Sequence, residues 1–253
     1  EYLQRDPECA QLAEGAIHCV SPLLEDPDPG PALALLDGWA FELAGRMPLP
    51  WNLLNAVDAL NHFLFQDLKF RGDHKTYDDP LNAVLPQVMD RKRGLPISLS
   101  ILWIDLARRL GLDAVGVGLP GHFMAGLRVE VGLLCFDPFH RGMAVGEELA
   151  AELLSRATGG LTPFHPSMLA PVTHRAILSR LVRNLHQRYV RAEAWDEAVW
   201  TSTHLILLAP AEPAPYQDRA LVYLKRGDAR RAHEDMAKAE ALGLAWIPPD
   251  RIT

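Results

Sequence analysis

Residues 96–111 read PISLSILWIDLARRLG, with Pro96 where a helix tolerates a missing N–H and Gly111 where a helix C-terminus turns left-handed. Ile97, Ile101 and Ile104 line one side at helical spacing, and Leu99, Leu102, Leu106 and Leu110 line another. A surface helix shows a single apolar stripe, so a helix apolar on several sides predicts a central, heavily buried element.

Downstream, AVGVGLP alternates at Val115 and Val117, MAGLRVEV at Leu127, Val129 and Val131, and LLCFDP follows. These runs predict a small antiparallel meander packed on that helix. Upstream, apolar residues from Cys9 to Phe70 recur at helical spacing, interrupted by EDPDPGP (25–31) and MPLP (47–50), which predicts three or more helices. The turn-rich FRGDHKTYDDP (70–80) precedes LNAVLPQVMDRKRG, which resumes the helical pattern as far as Gly94. The fold class is α+β, with helices covering a core of one buried helix and a small sheet.

The Gly-, Pro- and Thr-rich stretch 159–171 reads as a linker between a main domain, 1–158, and an all-α module, 172–253. Within the module Tyr189 and Tyr223 lie 34 residues apart, as do Ala198 and Ala232, the period of a tetratricopeptide repeat, and Pro210 closes the first unit. Such alanines mark close helix crossings, and Tyr189 and Tyr223 are expected to serve repeat packing rather than ligand contact. Two units are fewer than the three or so that stand alone, so the pair is expected to lean on the main domain, with no strand of the main sheet beyond the linker.

A chain of 253 residues, 49% hydrophobic and 23% charged, is long enough for one sizeable core plus a small appendage. Lys+Arg 25 against Asp+Glu 32 leaves a net charge of −7, which argues against nucleic acid or an acidic membrane as partner. Cys9, Cys19 and Cys135 have no CxxC spacing, so neither a disulfide framework nor a zinc ribbon is indicated, and a cytoplasmic setting fits. No apolar run is long enough to span a bilayer, and EYLQRDPE lacks the basic and apolar regions of a signal peptide, although a leader removed before Glu1 stays open.

The chemistry-bearing phrases are RKRGLPISLS, LPGHFM and CFDPFH: a helix start, a histidine entering one strand and an aspartate ending the next. Nucleophile, base and orienter are arranged this way in cysteine-type acyl transfer, where a helix N-terminus lowers a thiol pKa. Together with FRG and DDPLN, and over about Leu60 to Val145, these phrases resemble the transglutaminase-like superfamily of papain-like fold. Within it they resemble the bacterial SirB-type proteins that carry a tetratricopeptide tail.

That resemblance implies a Gly-x-Cys motif opening the central helix, a base in a His-Ala-Trp-like strand and an aspartate in Phe-Asp-Pro. The corresponding places are held by Gly94-Leu95-Pro96, His122 and Asp137, and counting back from Gly111 keeps Pro96 in the cysteine slot. Proline offers neither a nucleophile nor an N–H, so the expectation is a vestigial site of Pro96, His122 and Asp137 without a cofactor. A slip of a residue or two brings in Ser98 as an alternative nucleophile, for a serine-dependent hydrolase or acyl transferase using Ser98, His122 and Asp137. Serines in the first helical turns usually bond to backbone groups, which is the plainer reading of Ser98 and of Ser100.

Cys135 shares a strand face with Asp137 and reads as a small core residue. His122, Asp137 and His140 are chemically suited to a metal, but no HxH or HExxH spacing supports one, and none is expected. Arg91, Lys92 and Arg93, with Arg108 and Arg109, read either as a basic patch for an acidic partner or as solvated helix faces. The remaining histidines form no ligand pattern. The functional expectation is a non-catalytic scaffold or regulatory protein whose His122–Asp137 cleft and repeat concavity hold a peptide or protein partner. Partner identity and oligomeric state stay open.

Overall fold

The computed structural model describes residues 12–24, 27–47, 52–130 and 132–244, so Cys9, part of each N-terminal loop and the tail from 245 lie outside it. The chain divides into two compact units, 1–177 and 178–253. The first begins with three helices, α1 (Leu12–Val20), α2 (Gly30–Gly45) and α3 (Leu53–His62), the last running into a π-helical turn at Phe63–Asp67. A two-residue strand β1 (Arg71–Gly72), α4 (Leu85–Arg91) and a second short strand β2 (Arg93–Gly94) lead into α5 (Pro96–Arg109).

In α5 every residue from Pro96 to Ala107 is buried, and Gly111, just past its end, takes the left-handed φ of +82°. Each fully buried Leu or Ile here contributes about 1.5–3 kcal/mol of burial free energy, so this element dominates the core. Its one buried acid, Asp105, is satisfied twice: Oδ1 accepts the Ala13 N–H at the start of α1 (3.0 Å), and Oδ2 accepts Arg109 Nε (2.7 Å).

The sheet comprises β3 (Ala114–Leu119), β4 (His122–Val129), β5 (Gly132–Asp137), β6 (Met143–Val145) and β7 (Pro171–Val172), in spatial order β6-β5-β4-β3-β7 with every pair antiparallel. One face lies on α5, where Phe136 stacks on Trp103 at 5.4 Å between ring centroids. On another side Val117, Leu119, Met124, Cys135 and Val145 form an apolar cluster with Ala150 and Leu153 of α6 (Glu147–Thr158) and with Phe164, Met168 and Leu169.

The last three of those residues correct the domain boundary. The stretch 159–171 is not a free linker: it packs against the sheet, forms a short 3-10 turn at Pro166–Leu169 and ends in β7, which pairs Val172 with Gly116 and Pro171 with Val117. Proline at a sheet edge gives up no ladder bond it needs, so a Pro-containing strand is compatible with the edge position of β7. The expectation that no strand beyond the linker joins the sheet fails at Val172.

The second unit comprises the C-terminal part of α7 (His174–Arg191), then α8 (Trp195–Leu208), α9 (Ala214–Lys225) and α10 (Ala229–Ala241). Ala198 and Ala232 are fully buried, and Tyr223 packs with Ala220, Ala232, Val199 and Met236, as the repeat spacing requires. Tyr189 is half-buried on α7. Arg219 grips Asp235 through Nε and Nη2, both at 2.7 Å, tying α9 to α10.

Gly142 adopts φ +72°, and a Cβ there would lie 2.0 Å from Asn61 Oδ1. That oxygen accepts the Trp103 indole N–H at 2.8 Å, while Asn61 Nδ2 donates to Gly142 O at 3.2 Å, so one amide joins α3, α5 and the turn after β5. Gly142→Ala is expected to lower the unfolding free energy by about 2–4 kcal/mol, from left-handed strain plus overpacking. Urea melts against wild type measure it; a loss below about 0.5 kcal/mol would mean that Asn61 is not held there.

Candidate active site

Antiparallel pairing places the start of β4 and the end of β5 at one end of the sheet, which brings together residues 15 positions apart in sequence. His122 Nε2 lies 2.7 Å from Asp137 Oδ2. His140, one 3-10 turn after Asp137, directs Nδ1 at the same oxygen, also at 2.7 Å. The other carboxylate oxygen accepts the N–H groups of Phe139 (3.0 Å) and His140 (3.3 Å), so the aspartate caps the turn that carries its second histidine. Asp137 is fully buried and His122 nearly so, whereas the His140 side chain is 41% exposed and forms the mouth of the cluster. Burial alone would raise the Asp137 pKa, but the hydrogen bonds and charge of His122 and His140 outweigh it and hold the carboxyl below its ordinary value.

Phe139 packs beside this cluster. Its ring meets His74 edge-on at 4.6 Å and His122 at 6.4 Å between centroids, and it lies so close to Gly72 that a Cβ there would come within 2.7 Å of it. Gly72 sits in β1, paired in parallel with Gly94 of β2 immediately before α5, so the FRG, RKRG and FDPF phrases converge here.

Pro96 occupies the first turn of α5, as expected, and is buried. Ser98 is fully buried: its Oγ accepts the Leu95 N–H at 2.8 Å and donates to Asn82 O at 2.8 Å, with Leu95 O at 3.1 Å. Its single proton is therefore committed to backbone carbonyls, and among the described residues it makes no hydrogen bond to His122. The triad Ser98–His122–Asp137 is not assembled, because the first helical turn draws the hydroxyl to the backbone. Ser100 Oγ faces Phe123 O at 3.3 Å. Burial pushes the thiols up, Cys19 to about 12 and Cys135 to about 11, so neither is a thiolate nucleophile at neutral pH.

Four of the five basic residues, Arg91, Lys92, Arg108 and Arg109, are engaged by other groups of the fold. Arg91 Nη2 pairs with Asp79 at 2.8 Å, and Arg108 Nε donates to Ala114 O at 2.6 Å. Arg109 joins Asp105 and Asp37. Lys92, in a left-handed conformation at φ 56°, holds Nζ over the rings of Trp39 (4.3 Å) and Phe70 (4.8 Å), and burial lowers its pKa.

Sequence reasoning passed over Asp73, a buried acid between Gly72 and His74, both of which lie against Phe139. Its carboxylate accepts the N–H groups of Lys75 (3.1 Å) and Thr76 (2.9 Å) and the Thr76 hydroxyl (2.6 Å), while Asn82 Nδ2 donates to Thr76 O (2.6 Å). The Asp-x-x-Thr spacing in GDHKT was the available signal. Partial burial raises the Asp73 pKa, but these hydrogen bonds win and bring it down to about 2.

A family model for the transglutaminase-like superfamily matches residues 31–183, and a tetratricopeptide-repeat model matches 185–242. The chain belongs to the transglutaminase-like superfamily, with a tetratricopeptide-repeat module following the matched domain. It is similar to a UPF0162 protein of Xylella fastidiosa, 39% identical over 183 residues, covering 71% of this chain and 65% of that protein. A UPF0162 protein of Pseudomonas aeruginosa is 33% identical over 164 residues, covering 63% of this chain and 58% of that protein. The human F-box only protein 21 matches at 41% identity over 68 residues, 27% of this chain and 11% of that protein. This chain's match thus spans under two thirds of the length of either of these two bacterial proteins. Among the described residues no helix is long and apolar enough to cross a membrane.

A carboxyl whose folded pKa lies below its unfolded value of about 3.9 contributes stability that is complete above that value and is lost as pH falls through the folded one. Asp73→Ala is therefore expected to cost about 1–3 kcal/mol at pH 7, and the gap to wild type should narrow between about pH 4 and pH 2. Denaturant melts across that window check it; a gap independent of pH would assign the effect to packing.

Proposed function

We propose that the protein is a non-catalytic SirB-type scaffold of the cytoplasm in which a transglutaminase-like domain has kept its His–Asp pair without a nucleophile, and that it acts by holding a protein or peptide partner. The observation that carries this reading is the start of α5, where Pro96 stands in the slot the family resemblance assigns to cysteine and the Ser98 hydroxyl is committed to Asn82 O. The thiol at Cys135, near Asp137 in sequence, is buried with its pKa raised, which also speaks against thiol chemistry.

The repeat module supports the binding half of the proposal. A groove of about 520 Å³ is lined by His186, Val190, Trp195, Leu221, Asp218 and Lys225, among others, combining apolar walls with one charge of each sign. Tetratricopeptide surfaces use such grooves to hold extended segments or helices.

The test compares wild type with Ser98→Ala and His122→Ala on peptides, activated esters and amine incorporation into glutamine substrates. The expected result is no turnover above background in any of the three, with Ser98→Ala destabilised by about 0.5–1.5 kcal/mol, since the Leu95 N–H and Asn82 O lose the hydroxyl but keep their bond to each other. Turnover in wild type that both folded variants lose would overturn the proposal in favour of a serine enzyme.

A further inference from the structure

The His–Asp pair has a feature that an orienting carboxylate does not need. A base is positioned by one hydrogen bond to its carboxylate. Here a second imidazole, His140, directs its ring nitrogen at the same Asp137 oxygen at the same 2.7 Å as His122. The opposite oxygen is held by two backbone N–H groups, which fixes the carboxylate and leaves Oδ2 as the presented atom. One donor atom from each of His122, Asp137 and His140 lies within 4.8 Å of the other two.

We propose that His122, Asp137 and His140 form a binding site for a divalent first-row transition ion of the zinc class. Two imidazoles and one carboxylate are the donor set such ions prefer, whereas calcium and magnesium prefer oxygen throughout. Metal–ligand bonds of about 2.0–2.2 Å separate tetrahedral ligands by roughly 3.3–3.6 Å, so the two 2.7 Å contacts must open by roughly 0.6–0.9 Å. The His140 side chain, 41% exposed, has the freedom to supply that movement. Each ring must give up the proton it directs at Oδ2, either to its other nitrogen or to water, and the ion then replaces those protons as the group shared with the carboxylate.

The surroundings fit a preformed site. The backbone N–H bonds to Oδ1 are the outer-shell support a ligating carboxylate needs. Phe139 packs beside the rings of both His122 and His140, with centroids at 6.4 and 5.3 Å. With three protein ligands, one of them the 41% exposed His140, a fourth position on the His140 side would suit water or an anionic ligand. No spacing motif announces the site, because His122 opens β4, Asp137 ends the neighbouring β5 and His140 closes the 3-10 turn that follows.

The experiment uses the full chain, stripped with chelator and titrated with Zn²⁺ by calorimetry and with Co²⁺ by visible absorption. The expected result is one equivalent bound, a Co²⁺ d–d band, and a rise in Tm with added metal. His140→Ala removes an exposed ligand without opening the core and is expected to weaken binding at least 10-fold and to abolish the band, as is Asp137→Asn where it folds. His233→Ala, on α10, is expected to leave both unchanged. Absence of stoichiometric binding in wild type overturns the proposal, and so does binding that persists unchanged in His140→Ala.

Discussion

A helix buried on every side from Pro96 to Ala107 tolerates no water on any of them, and α5 imposes that requirement on its whole unit. The sheet covers one side, and α1 to α4 close the others. The polar groups admitted to this core are there under strict conditions. Asp105 is neutralised by Arg109 and bonded to the N–H of Ala13, Ser98 donates to Asn82 O and accepts from Leu95, and the Trp103 N–H reaches Asn61. Each such pairing also fixes a neighbour, so the same bonds that make burial affordable position the segments around the site.

The site is built by close approach rather than by a single element. Gly72 lets the Phe139 ring lie against the β1 backbone, Gly142 admits Asn61, and Gly94 lies where a Cβ would come within 2.6 Å of Ser98 Oγ. Three sequence phrases separated by tens of residues therefore meet at positions where a side chain would not fit. This accounts for the specificity of the phrases taken together and for the weakness of each alone.

The parts of this structure that were legible in the sequence are those decided by local rules. The proline and glycine bracketing α5, the alternation in β3 and β4, the repeat spacing of Ala198 and Ala232, and the placing of His122 and Asp137 at adjoining strand ends all follow from periodicity, caps or antiparallel register. The illegible parts depend on distant partners. Composition reads 159–171 as a linker, yet two residues of backbone pairing and three apolar side chains commit its end to the sheet. The basic run looks like a surface because its acidic and aromatic partners, Asp79, Asp37, Trp39 and Phe70, lie in other segments. His140 was legible only as a side chain of the right chemistry; its place beside Asp137 is set by the turn after β5, which folds it back.

The burial of Cys19 and Cys135 has a consequence for oxidative stress. Oxidation to sulfenic acid and exchange with glutathione both proceed through an accessible thiolate, and thiol enzymes depend on a reducing environment for that reason. With their thiols pushed up to about 12 and about 11 and enclosed in the core, these two cysteines present peroxide with almost no thiolate to attack. Among the described residues, neither cysteine therefore offers the exposed thiolate on which oxidants act first, and its packing must loosen before its thiol can react.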